Sequence, residues 1–227
     1  MTELVNPKSL LEYHLAHNWG AISRPLGEVF ATDRREEYAL SALKGGDTSL
    51  GDSPSAIRER FRVPRRDAEN LALGGARVLR DKFAKIADDC LKIDPDQVTA
   101  VAPTLALGLS DAELARLAAD NRNSFGCLRA IAAQDSAYSR ALKRALDSFA
   151  EVVQAVPEKV YGYTQRACNG TNDVARKQDP DLLKSLIEAQ IADVDAAWSH
   201  LSDTIEAKAE QDPLQAALDA WAAANHR

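Results

Sequence analysis

The amino-acid sequence predicts an all-α protein, a multi-helix bundle of about seven to nine helices with a long C-terminal helix. Ala and Leu, which lose little on entering a helix, number 40 and 26 among the 227 residues. Val and Ile, which favour strands, number only 12 and 8. Apolar residues also recur at spacings of three and four, as on one face of a helix. A hydrophobic fraction of 45% can build a core, which argues against disorder.

Proline and capping residues place the helix boundaries. Ser53-Pro54, Asp94-Pro95, Asp179-Pro180 and Asp212-Pro213 each put a capping side chain before a proline, as at a helix start. Gly45-Gly46 predicts a helix end, and residues 45–53 and 168–177 are predicted loops. The predicted helices are residues 9–18, 25–43, 64–92 with a kink at Gly74-Gly75, 94–107 interrupted at Pro103, 111–120, 124–133, a stripe from Tyr138 to Val156, 180–211, and a short helix after Pro213.

These elements suggest three segments of the chain. Residues 1–50 are expected to form an N-terminal helical hairpin, residues 51–178 a central helical domain, and residues 179–227 acidic C-terminal helices. The acidic helices could also pack with the central region as one domain. We see no secretory signal and no apolar stretch long enough to cross a bilayer. Because the three cysteines form no C-x-x-C pair, we expect buried, reduced thiols.

An apolar stripe along the predicted C-terminal helices is the strongest candidate for a contact surface. It is wider than the seam of a two-stranded coiled coil, which favours packing inside a bundle, although self-association also remains open. Large aromatic residues on such a stripe would contribute most to a partner's binding. The predicted interface residues are Leu183, Ile187, Ile191, Val194, Trp198, Leu201, Ile205 and, on the last helix, Trp221.

Charge is unevenly distributed along the chain. The formal net charge is −6, yet residues 58–85 carry nine Lys and Arg against four Asp and Glu. Residues 179–219 carry two Lys and ten Asp and Glu. A basic segment can bind phosphate and hence nucleic acid, or it can be a solvated helix face that pairs with the acidic C-terminal helices. The candidate nucleic-acid-binding residues are Arg58, Arg60, Arg62, Arg65 and Arg66.

Reaction chemistry is hard to find in the sequence. His14 and His17 lie three apart on a predicted helix, but an acid from a distant helix would be needed to complete a metal site. Cys127 near a predicted helix start could be an activated thiol, although its apolar neighbours favour a core position. No phosphate-binding glycine loop occurs. We therefore expect no enzymatic activity and no cofactor or metal.

The segment from Asp94 to Ala133 carries a series of short motifs. They are Asp94-Pro95, Leu105-Ala106-Leu107-Gly108-Leu109-Ser110, Glu113-Leu114 with Leu117-Ala118, Asn121-Arg122-Asn123, and Leu128-Arg129-Ala130-Ile131. Together they resemble a stretch of poorly characterised helical proteins encoded near the head genes of tailed bacteriophages. The resemblance covers about 40 of the 227 residues, and Phe125-Gly126-Cys127 departs from the family pattern.

The resemblance implies a structural role in a phage head or virion. The chain would bind capsid or connector proteins, or packaged DNA, and would be found in the host cytoplasm or in the virion. The expected function is therefore that of a non-enzymatic structural or interaction protein that acts through helix-mediated protein–protein contacts and could form homo-oligomers. Nucleic-acid binding through the five arginines is the alternative.

Overall fold

The computed structural model of this chain describes residues 6–49, 51, 53–90, 137–169 and 180–210. Every regular element in these residues is an α-helix, so the predicted all-α class is confirmed. The five helices are α1 (Pro7–Asn18), α2 (Gly20–Lys44), α3 (Pro54–Cys90), α4 (Ala137–Asn169) and α5 (Pro180–Glu210). The additional short helices expected between residues 94 and 133 and after Pro213 lie outside the described residues. None of the five helices has the length and apolar character that crossing a bilayer requires.

Helices α1 and α2 follow one another almost without interruption. Trp19 has helical φ and ψ angles, and its carbonyl accepts from the amides of Ile22 and Ser23. Helix α2 therefore begins at Gly20 and contains Pro25, where the sequence had predicted its first residue. Because Ile22 is fully buried, tertiary packing stabilises the first turn of α2. Local sequence signals do not report this stabilisation.

The loop between α2 and α3 forms as the sequence predicts. The amide of Gly45 donates to the Ser41 carbonyl at 3.1 Å, and that of Gly46 donates to the Leu43 carbonyl at 3.0 Å. Gly46 has a φ of 95°, a conformation that favours glycine. At the far end of the loop, the Ser53 hydroxyl accepts from the Ala56 amide at 3.2 Å and caps α3.

Helix α3 begins at Pro54, where Ser53-Pro54 indicates a helix start, ten residues before the helix predicted from Pro64, and it is continuous through Pro64 and Gly74-Gly75. Its buried stripe already starts at Ile57, which is 0% exposed, so the first turns are held by the core in spite of the proline. The expected kink at the glycine pair is replaced by a close crossing. A Cβ atom on Gly75 would lie 2.5 Å from the carbonyl oxygen of Ala21 in α2. Glycine at position 75 therefore lets α2 and α3 approach at backbone distance.

Helices α4 and α5 carry the other core stripes. The stripe of α4 includes Phe149 and Val156 as predicted, but Val153 is buried where Val152 had been expected. Helix α4 also continues past the buried Pro157 to Asn169, two residues into the predicted loop. Helix α5, described over Pro180–Glu210, lies within the predicted range of 180–211 and has Asp181 in its first turn beside a regular apolar stripe.

Two compact units divide the chain. One comprises Met1–Lys8, Lys85–Gln154 and Ala192–Arg227, and the other comprises Ser9–Ala84 and Ala155–Ile191. The unit boundaries fall inside α3, α4 and α5, whereas the segments expected from the sequence had their boundaries near residues 50 and 178. In the first unit the Phe149 and Trp198 rings pack 5.4 Å apart.

Candidate interaction surface

The predicted interface on α5 is covered by other helices of the same chain. Of its members, Ile187 and Val194 are 0% exposed. Trp198 is half-buried against Phe149. Of the other five members, Leu183, Ile191 and Leu201 are buried. The side chain of Ile205 and all of Trp221 lie outside the described residues. A partner could reach this seam only if helices of the chain separated.

The five candidate arginines do not form one surface. Arg58, Arg60 and Arg66 are exposed and have no carboxylate partner among the residues that the structure describes. Arg62 is exposed too, but its guanidinium donates to both Glu59 carboxylate oxygens at 2.8 and 2.9 Å. The last member of the set, Arg65, is only partly exposed and lies on the side of α3 that faces α2.

Arg65 joins α3 to α2 through two carboxylates. Its Nη2 atom donates to the Glu36 carboxylate at 2.7 Å and also contacts Asp33. The Glu36 side chain is only 13% exposed, so this pair is more shielded from solvent than that of Arg62. Burial raises the pKa of the neighbouring Glu69, with the positive charge of Arg65 opposing and the negative charge of Asp33 adding to the rise. Arg65 is thus a structural arginine, and phosphate would have to displace both carboxylates to reach it.

Replacing Arg65 with Ala should lower the free energy of unfolding by about 1–3 kcal/mol, because two partly buried carboxylates lose their partner. Arg62→Ala removes an exposed ion pair within one helix and should change the free energy of unfolding by less than about 0.5 kcal/mol. Urea unfolding of both variants measures the difference. Equal effects would show that Arg65 does not hold α3 to α2.

His14 and His17 lie beside Tyr13, not around an open site. The His17 Nδ1 atom is 2.8 Å from the Tyr13 carbonyl oxygen, and the Tyr13 and His17 rings are 4.0 Å apart. Partial burial lowers the pKa of His14, and the charges of Lys82 and His17 lower it further. Within the described ranges no three His, Cys, Asp or Glu side chains are grouped so that they could hold a metal ion.

The thiols that the structure describes are held in their neutral form. Burial raises the pKa of Cys168 to about 12, and the nearby charge of Glu69 contributes. Burial also raises the pKa of Cys90 to about 11, together with the charge of Asp89. An activated nucleophile needs a lowered pKa, so neither thiol is poised for catalysis. Cys127 lies outside the described residues.

One exposed face of α3 carries a regular row of residues that the sequence analysis missed. They recur at spacings of three and four and, at 100° per residue, lie within an arc of about 80° opposite the buried stripe. We call this row the outer face of α3; its members are Arg60, Val63, Asp67, Leu71, Gly74, Val78 and Asp81, all exposed. The three large apolar members are 53%, 65% and 50% exposed. The spacing was visible in the sequence, but with a helix start expected at Pro64 it was split in two.

The charges of the outer face lie along the row in a definite order. Arg60 is at one end, Asp67 is near the middle and Asp81 is at the other end. The Arg80 guanidinium donates to one oxygen of Asp81, Oδ1, at 2.8 and 3.0 Å. The remaining exposed large apolar residues, which lie on α1, α2 and α5, are Leu10, Tyr13, Tyr38 and Leu186. Only α3 therefore presents three of them in one row within the described residues.

Comparison with known proteins gives no relative for this chain. No protein-family model, no curated protein and no solved structure matches it. The resemblance of residues 94–133 to phage head-gene neighbours remains an expectation from the sequence, and those residues lie outside the described ranges.

Proposed function

We propose that this chain is a helical interaction protein that acts through protein–protein contacts made by the outer face of α3. The finer setting that we propose is a phage head or virion, with capsid or connector proteins as partners. The observation that carries the proposal is the row of Val63, Leu71 and Val78, which stay at least half exposed. Burying each such side chain against a partner would contribute on the order of 1 kcal/mol or more.

The inner side of α3 supports this assignment. Gly75 meets the backbone of α2, and Arg65 binds carboxylates of the same helix. A helix fixed in this way presents its outer side chains in a constant arrangement, which lowers the conformational entropy that binding must overcome. The apolar seam of α5, by contrast, is already used inside the chain.

Nucleic-acid binding is the alternative, and it now depends on Arg58, Arg60 and Arg66. Since Arg62 and Arg65 are paired with carboxylates, fewer arginines of the segment can bind phosphate than the sequence indicates. Fewer phosphate contacts mean a smaller salt dependence and a weaker affinity.

Mass spectrometry of purified phage particles from a host that carries this gene tests the proposal. We expect the chain at a fixed copy number, retained by Tyr38→Asp on α2 and lost with Leu71→Asp on the outer face, because a charge there opposes burial. Absence of the wild-type chain from the particles would contradict the virion setting. DNA retardation that weakens as salt rises and is abolished by replacing Arg58, Arg60 and Arg66 with Ala would favour the alternative.

A further inference from the structure

The outer face of α3 has a symmetry that deepens the proposed function, on which this inference rests. Three pairs of its members, Arg60 and Asp81, Val63 and Val78, and Asp67 and Gly74, lie at equal distances from a midpoint between residues 70 and 71. Arg60 and Asp81 are its ends, Val63 and Val78 are the next positions inward, and Leu71 is at the middle. We propose that the partner of this face is a second copy of the chain, with the two α3 helices antiparallel and the two-fold axis beside Leu71.

The antiparallel arrangement matches side chains of suitable chemistry. It places Val63 of one copy opposite Val78 of the other, on both sides of a central pair of leucines. It also places Arg60 opposite Asp81 at each end of the contact, and the Asp81 oxygen that Arg80 does not occupy can accept from the incoming guanidinium. A two-fold axis makes each of these contacts occur twice.

A parallel arrangement fails on the same charges. In that case each charged residue would face its own counterpart, arginine against arginine at one end and aspartate against aspartate in the middle and at the other end. Like charges directly opposite one another destabilise a helix pair. The order of charge along α3 therefore selects the antiparallel pairing.

Asp67 and Gly74 complete the match. In the antiparallel pair the Asp67 carboxylate lies opposite Gly74, where a Cβ would have nothing within 4 Å. The missing side chain leaves room for the carboxylate to keep its hydration. Arg77, exposed one turn after Gly74, is long enough to reach the same carboxylate from the facing helix.

The size of the contact sets its expected strength. From Arg60 to Asp81 the face is about 31 Å long at about 1.5 Å per residue, and it is one helix wide. Such a contact buries less than the roughly 1,200 Å² of a standard interface, which is the range of weak and transient association. We therefore expect a dimer with a dissociation constant in the micromolar range or above.

Sedimentation velocity on the full chain, from about 5 to about 500 μM, tests the dimer. The wild type should change from monomer to dimer as its concentration rises, and Tyr38→Asp, an exposed control off the face, should behave in the same way. Leu71→Asp should abolish the shift, since two added carboxylates would meet at the two-fold axis.

Charge exchange tests the register. Arg60→Asp alone and Asp81→Arg alone should each weaken the dimer about fivefold or more, because each introduces like charges at both ends of the contact. The double variant, R60D/D81R, should recover most of the lost affinity, because opposite charges again face one another. The Arg80 contact is lost in D81R and in the double variant alike, so it cannot produce the recovery.

Three outcomes would overturn the inference: a wild type that stays monomeric throughout, a dimer that Leu71→Asp leaves intact, or a double variant as weak as its parents. Each can be told apart from a failure of the proposed function. A monomeric chain that is present in particles, and is lost from them with Leu71→Asp, would assign the outer face to a different protein.

Discussion

Replacing Ile187 with Ala should lower the free energy of unfolding by about 2–5 kcal/mol. Ile187 on α5 is 0% exposed, and removing three of its carbon atoms leaves a cavity that the surrounding helices fill only in part. The neighbouring Leu186 is 37% exposed, so Leu186→Ala should cost about 1 kcal/mol or less. Urea unfolding followed by circular dichroism measures both changes.

This comparison also decides how the apolar seam of α5 is used. A large effect of Ile187→Ala on a dilute, monomeric chain would show that the seam is part of the core of the chain. A small effect that grows with protein concentration would instead support the alternative that the sequence left open, in which the seam joins two chains, because dimer stability depends on concentration.

Replacing Gly75 with Ala should destabilise the chain by about 1–3 kcal/mol, although Ala is the better helix former. The added Cβ would lie 2.5 Å from the Ala21 carbonyl oxygen and 2.8 Å from its carbonyl carbon. Both obstacles are backbone atoms, so the helices must move apart and lose packing along their contact. The shift of the urea midpoint measures the loss.

Gly74→Ala is the matched control, since it makes the same chemical change one residue earlier. A Cβ at position 74 meets nothing within 4 Å, and the position is exposed. We expect this variant to be more stable than the wild type by up to about 1 kcal/mol, because Ala restricts the unfolded chain. If Gly74→Ala destabilised the chain and Gly75→Ala did not, the close crossing would have been placed at the wrong glycine.

Pro25 changes the hydrogen bonding of α2 at the crossing. Proline has no N–H, so it cannot donate to the carbonyl four residues earlier, and that carbonyl belongs to Ala21. The same carbonyl is the one that Gly75 approaches.

Much of the fold could be predicted from the sequence, for physical reasons that are easy to name. The excess of Ala and Leu reports helix propensity directly, and the end of α2 at Gly45-Gly46 and the start of α5 at Pro180 follow from local signals that agree with one another. The helix starts predicted at Pro25 and Pro64 were wrong because both prolines lie inside a helix, whereas α3 begins at Pro54 as Ser53-Pro54 indicates. Burial of Ile22 and Ile57 offsets the cost of an internal proline, and burial depends on partners that are distant in the sequence.

The candidate interaction surfaces also depend on packing against residues that are distant in the sequence. The sequence does not distinguish the five arginines within nine residues from one another. In the structure Arg65 contacts Asp33 and Glu36, whereas Arg58 is exposed to solvent. The α5 seam was correctly recognised as a surface to be covered, but the sequence does not say by what. The outer face of α3 stands out only once the opposite face is known to be buried.

The contact at Gly75 also bears on how this protein can diverge. A clash between two side chains can be relieved by shortening either one, so such positions drift together over time. Here the obstacle is the main chain of Ala21, which every amino acid shares. No compensating mutation at position 21 can make room for it, and glycine should persist at position 75 in any descendant that keeps α2 and α3 crossed at this point.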